Sequence, residues 1–290
     1  MNWNPRFLQL SRQAFNPFLP SSGTENVACL LYAIARMLRP RTIVEYGSGY
    51  TTLYLLAALA ENTSDAKEEG TLLRAKTEKL TEREIVFSRA SPNGRDATQK
   101  RRELEWFSSG DKACGVDPGF FRQAYMPRLY SIERLSSDHD YSKRLLKTVM
   151  ELDLAEFLTY LTGCEFSPHI LPAEAFPLDL AWNDDDEYIT FFDTLWPHLN
   201  PSGGLMVFHN TVAVEEAWNA IATIKQKRSA HGDLEVLTLP EPHKLSQSSC
   251  TILRRTTDYE PSFARRTRER VVDDLLGFMQ GNAGQKNESA

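Results

Sequence analysis

The chain has 290 residues, 41% of them hydrophobic and 10% aromatic, which is enough apolar material for one sizeable core. A net charge of −6 leaves no global basic face and argues against a nucleic-acid partner. The cysteines (Cys29, Cys114, Cys164 and Cys250) are scattered without a CxxC pair, against a disulfide scaffold or zinc knuckle, and no apolar run reaches the roughly 18 residues of a membrane span, so a cytoplasmic protein with reduced thiols is expected.

The first elements read as helices. A Pro-rich break at Pro17 and Pro20 separates the apolar residues Phe7, Leu8, Leu10 and Phe15 from a second helix, which starts near Thr24, a good N-cap residue with Glu25 beside it. Val27, Leu30, Leu31, Ile34, Met37 and Leu38 recur at helical spacing until Pro40. Residues 1–40 are expected to form a helical cap. Thr42–Tyr46 reads as a buried strand, Gly47-Ser48-Gly49 as a tight turn and 51–60 as a helix, together the first unit of a parallel sheet. Residues 61–112 are poor in large apolar clusters apart from Ile85-Val86-Phe87 and 104–107. An insertion running to about 125 is expected there, as a lid over the substrate, a partly helical excursion or a disordered loop.

Beyond the insertion, 129–132 reads as a strand ending in Glu133, and 142–162 as one amphipathic helix with Leu145, Leu146, Val149, Met150 and Leu154 on its buried side. Short strands are expected at 166–171 and 178–182, the second followed by the acidic turn 183–187 and a helix over 188–199. The turn 200–204 leads into a strand at 205–208, then a helix over 214–227. Residues 234–239 and 250–254 suit a terminal antiparallel pair, and 261–279 a last helix before a frayed tail. The alternation calls for an α/β, Rossmann-like, mainly parallel seven-stranded sheet with helices on both faces, an antiparallel last strand and extra N-terminal helices. The main domain is expected over 41–255, with 256–290 as C-terminal helix and tail.

An open α/β sheet binds ligands at the carboxyl ends of its strands, and glycine is needed where backbone bends sharply or a ligand comes close. A dinucleotide site asks for GxGxxG, but here the third glycine is replaced by Thr52, which argues against an NAD-dependent oxidoreductase. VEYGSGYTT, with Glu45 two residues before Gly47, resembles the first motif of class I S-adenosylmethionine-dependent methyltransferases. RLYSIER is similar to the family's second motif, LPAEAFPLDLAWNDDDEY to its adenine-side stretch and fourth strand, and NPSGGLMVFHNT to its fifth strand and following loop. The resemblance covers roughly 24–254, interrupted at 61–125.

The resemblance implies S-adenosyl-L-methionine as cofactor and a small-molecule acceptor, with methyl transfer to a hydroxyl or an amine. It implies cofactor contacts from Glu45, Gly47, Ser48, Gly49 and Thr51, from Glu133 to both ribose hydroxyls, and from Ala173, Glu174 and Asn183. A carboxylate suits the ribose, because two acceptor oxygens match a vicinal diol. A metal-dependent subgroup places acids after the fourth strand and Asp-Asn after the fifth. Here His209-Asn210 stands at the latter position, so a divalent metal is not expected, and Asp184, His209 and Asn210 are the residues that could build a softer site. His209 is the candidate base, since an unperturbed imidazole titrates near pH 6.5. Asp184 is the acid of the turn best placed to face cofactor or an amine substrate, with Tyr50, Trp182 and Asn210 as pocket residues. An amino acid or peptide N-methyltransferase, an NAD-dependent oxidoreductase and a non-catalytic cofactor-binding protein are the alternatives, and homodimerisation is left open.

Overall fold

The structure is a computed structural model that describes residues 4–19, 22–82, 115–244, 249–261, 274–275 and 277–278, with side chains left out at 78–82 and 168. It divides into two compact units, one of Met1–Asn62 with Pro127–Tyr259, the other of Thr63–Met126 with Glu260–Ala290.

The first unit holds a seven-stranded sheet, of β1 (Thr42–Tyr46), β2 (Arg128–Glu133), β3 (Leu158–Thr162), β4 (Leu180–Asn183), β5 (Leu205–His209), β6 (Leu234–Leu239) and β7 (Cys250–Arg255), in the order β3-β2-β1-β4-β5-β7-β6. The first five run parallel, and β7 is antiparallel to both β5 and β6. Two N-terminal helices, α1 (Pro5–Ala14) and α2 (Glu25–Leu38), precede the sheet. Helix α3 (Tyr50–Glu82) follows β1, α4 (Asp140–Glu151) follows β2, α5 (Tyr188–Leu195) follows β4 and α6 (Glu215–Arg228) follows β5.

Both faces of the sheet are buried, as the apolar strands require. Successive residues alternate between two cores: Ile43, Leu129, Leu180, Trp182 and Val207 pack with α1, α2, the start of α3 and α4. Val44, Tyr46, Tyr130, Ala181, Met206 and Phe208 pack with α5 and α6. The fold class expected from the sequence is the observed one.

Three expectations need correction. The helix after the glycine turn does not stop near Ala60 but runs to Glu82, because 61–82 contains no proline and is rich in strong helix formers. The helix expected over 142–162 ends at Glu151. Asp153 takes a left-handed backbone (φ 57°), and Leu158-Thr159-Tyr160-Leu161-Thr162 forms β3 beside β2. The strand expected over 166–171 is absent, since Pro168–Ile170 forms a 3-10 turn.

In the second unit, a 3-10 turn at Pro118–Arg122 is capped by the Asp117 side chain, which accepts from the Gly119 N–H at 2.9 Å. The Arg122 guanidinium pairs with Asp274 at 3.2 Å. Of the helix expected over 261–279, Pro261 is described and is not helical, whereas Asp274, Leu275, Gly277 and Phe278 are described and helical. Residues 83–114 of the expected insertion, with Ile85-Val86-Phe87 and 104–107, and the tail lie outside the described residues. No described helix is long and apolar enough to cross a membrane.

Candidate functional site

Because β1, β2, β4 and β5 are parallel, Tyr46, Glu133, Asn183 and His209 end on one edge of the sheet. The turn after β1 is stitched across that edge. The Gly47 N–H donates to the Ile132 carbonyl at 3.1 Å, and the Asp184 N–H donates to the Tyr46 carbonyl at 2.9 Å. Gly47 has φ 90°, and a Cβ there would lie 3.2 Å from the Asp184 carbonyl oxygen. At Gly49 a Cβ would collide with the hydroxyl of Tyr141, which donates to the Ser48 carbonyl at 2.7 Å. A side chain at either glycine would thus crowd the protein's own atoms, whatever ligand the turn also meets.

Glu45 is fully buried. Its carboxylate accepts from the hydroxyls of Thr51 at 2.8 Å, Thr52 at 2.7 Å and Ser131 at 2.7 Å. Thr52 also accepts from the Gly49 N–H at 2.7 Å, so the residue in place of a third glycine links the turn to the buried acid. Burial pushes the Glu45 carboxyl up to about 7 despite those hydroxyls, and the Asp184 charge adds to the rise. Glu45 thus fixes the start of α3 to β1 and β2 through the hydroxyls of Thr51, Thr52 and Ser131.

Glu133, nearly buried at the end of β2, accepts from the Ser48 hydroxyl at 2.7 Å, from the Ser48 N–H at 3.3 Å and from the Leu135 N–H at 3.0 Å. The Ser48 hydroxyl is also 3.0 Å from the Tyr160 hydroxyl on β3. The sequence reading missed Thr52, Ser131, Tyr141 and Tyr160. Thr52 and Ser131 lie within the VEYGSGYTT and RLYSIER motifs but carry no role in them, Tyr141 lies outside any motif, and β3, which carries Tyr160, was itself missed.

At the other end of the edge, His209 Nδ1 lies 2.6 Å from Asp184 Oδ1. A carboxylate can only accept, so the neutral ring carries its hydrogen on Nδ1 and its lone pair on Nε2. His209 is 1% exposed, and Nε2 is buried with no protein partner. Arg134 holds the rest of the acidic turn. Its Nε donates to the Tyr46 hydroxyl at 2.7 Å, and its Nη2 pairs with Asp185 at 3.0 Å and Glu187 at 3.3 Å. Asp184 and His209 therefore meet as the sequence pattern suggests, bonded to each other. Among the described residues no group of three His, Cys, Asp or Glu side chains is arranged to hold a metal ion.

The remaining candidates fall into three groups. Asn183 is fully buried at the edge; its Oδ1 accepts from the Asp185 N–H at 2.8 Å and its Nδ2 has no partner. Asn210 follows His209 in a left-handed conformation (φ 59°), which Asn tolerates, and its N–H donates to the Ser249 carbonyl. Trp182 and Tyr50 are core residues; Trp182 packs 5.7 Å from the His209 ring, and the Tyr50 hydroxyl pairs with that of Tyr54 at 2.7 Å. Ala173 and Glu174 are exposed in a 3-10 turn, and the Glu174 charge acts on Tyr130, in the middle of β2. The residues that do follow the carboxyl end beside Glu133 are Gly163 and Cys164, because Thr162 pairs with Glu133. The LTYLT alternation closed by Gly163 was the signal for them.

No protein-family model matches the chain, and no curated protein matches it in sequence. Solved structures match in fold. The O-methyltransferase TomG from Streptomyces achromogenes, involved in tomaymycin synthesis and solved with SAM, is 14% identical over 87% of this chain and 90% of that one, with a TM-score of 0.54. An O-methyltransferase from Bacillus cereus, solved with SAH, is 10% identical over 88% of this chain and 93% of that one, with a TM-score of 0.51. The chain has the α/β Rossmann-like fold of these methyltransferases.

Proposed function

We propose that the chain is an S-adenosylmethionine-dependent methyltransferase acting by in-line displacement on a hydroxyl group of a small molecule. The observation that carries this reading is the buried carboxylate Glu133, set at the end of β2 beside the glycine turn of β1, on a sheet of this topology. The residues fit the cofactor. Glu133 already takes one hydroxyl hydrogen bond, from Ser48, and a ribose diol offers donors of the same kind. Asn183 Nδ2 is a buried donor without a protein partner, as a group reserved for a ligand acceptor would be. Gly47, Ser48, Gly49, Glu133 and Asn183 are the proposed contacts, with Gly163 and Cys164 on the adenine side; Glu45 and Thr51 hold the turn in place.

When bound, S-adenosylmethionine supplies an electrophilic methyl group. His209 Nε2 accepts the proton of the acceptor hydroxyl as its oxygen attacks, while Asp184 holds Nδ1–H and so keeps the lone pair turned away from itself. Positioning supplies much of the remaining rate. Isothermal titration tests the reading: S-adenosylmethionine binds at micromolar concentration and NAD does not. Binding of NAD in its place would turn the reading to an oxidoreductase.

A further inference from the structure

Helix α2 enters β1 through Arg39–Arg41 alone and therefore runs antiparallel to it. Its 14 residues span about 21 Å, more than the roughly 17 Å of the strand, so the head of α2 stands level with the carboxyl edge of the sheet. The end of β6 reaches the same edge. Leu239 pairs with Cys250, and Cys250 pairs with His209. Glu241, just past β6, accepts from the Asn26 amide at 2.5 Å and from the Ser249 N–H at 3.4 Å, and the Lys244 ammonium donates to the Gly23 carbonyl at 2.8 Å. The head of α2, the β6–β7 connection and the end of β5 thus form one corner.

Buried polar atoms without partners gather there. More than nine in ten buried polar groups in folded proteins are bonded, so each exception calls for an explanation. Thr24 is 4% exposed and stands at the N-cap of α2, yet its hydroxyl makes no capping bond and no other. Glu25 Oε1 pairs with Lys244 at 2.9 Å, while Oε2 is buried and unbonded. His209 Nε2 is the third. Charge is also out of balance: the single Lys244 ammonium serves Glu25 at 2.9 Å and Glu241 at 3.1 Å, two carboxylates that are largely shielded from water. A second cation or strong donor would complete the corner.

We propose that this corner is the substrate-recognition subsite, and that the substrate is a small molecule carrying an amine as well as the hydroxyl that is methylated. Glu25 Oε2 and Thr24 Oγ1 accept from the amine, and His209 Nε2 accepts from the hydroxyl. Asp184, the acid that the sequence offers for an amine, is already engaged by His209. This inference rests on the methyltransferase reading and commits it to a substrate class.

The test is calorimetric, with S-adenosylhomocysteine bound first. Hydroxyphenyl-alkylamines with one to four methylenes are titrated against alkylphenols of the same lengths, into wild type, Glu25→Gln and Thr24→Val, with thermal melts reporting folding. At least one amine should bind wild type tenfold or more tightly than its alkylphenol, and each variant should weaken that amine at least fivefold without changing the alkylphenol. Should one variant fail to fold, the other and the wild-type comparison decide. Equal binding of amine and alkylphenol, no binding of any amine, or a preference that survives substitution overturns the subsite while leaving the functional reading intact. Failure of S-adenosylhomocysteine itself to bind removes both.

Discussion

The two halves of the ligand edge treat their buried polar groups in opposite ways. Around β1 and β2 nearly every donor and acceptor is satisfied within the protein: Glu45 takes three hydroxyls, and the Ser48 hydroxyl serves both Glu133 and Tyr160. Around β4, β5 and the head of α2, His209 Nε2, Asn183 Nδ2, Glu25 Oε2 and Thr24 Oγ1 are buried and unbonded. Both halves carry acids at strand ends, so charge alone does not tell them apart. The three hydroxyls around Glu45 mark a scaffold that fixes the turn on which the cofactor is proposed to lie; the buried atoms left without partners are where the account places base and substrate.

That contrast can be broken by substitution, and the expected effects fall in order. His209→Ala should lower turnover by roughly 10²–10⁴, the usual contribution of a general base, with S-adenosylmethionine affinity near normal by titration. Full turnover would remove His209 from the chemistry. Glu45→Ala leaves three buried hydroxyls without their acceptor and should cost about 3 kcal/mol or more in urea unfolding. A loss confined to cofactor affinity, with stability kept, would instead make Glu45 a ligand contact. Thr52→Val breaks the link between the Gly49 N–H and Glu45 and should cost about 1 kcal/mol by the same measurement.

The pH dependence sharpens the same point. A carboxyl whose folded pKa is raised to about 7, above its unfolded value, binds a proton in the folded state that the unfolded state has lost. Glu45 therefore contributes stability below the ordinary carboxylate range, and that contribution fades as pH rises through about 7. The melting temperature should fall over this window in wild type and fall less in Glu45→Gln; identical slopes in both proteins would assign the titration to another group.

Much of this architecture is legible in the sequence because parallel strands buried on both faces are runs of apolar residues, punctuated by glycine or an acid. Val44, Ile132, Trp182 and Phe208 stand out in that way. β3 does not: the LTYLT strand alternates at the sheet's outer end, and the apolar spacing from Leu145 onward continues helically into it. With β3 unread, Gly163 and Cys164, which follow its end beside Glu133, were also missing from the expected contacts. The pairing of Asp184 with His209 could be anticipated because neighbouring parallel strands end together. The hydroxyl cage of Glu45 could not, since Ser131 lies on another strand, 86 residues away, and no local pattern announces it. The corner at Thr24 and Glu25 was hidden for a related reason: a threonine before a helix reads as a cap, and only three-dimensional packing reveals that its hydroxyl does not cap.

A crystal structure with S-adenosylhomocysteine tests the central claim most directly. The account predicts the nucleoside across the glycine turn, its ribose hydroxyls on Glu133 and its sulfur turned toward His209. A nucleoside bound elsewhere, or a Glu133 that keeps Ser48 as its only hydroxyl partner while the ribose lies apart, would contradict it.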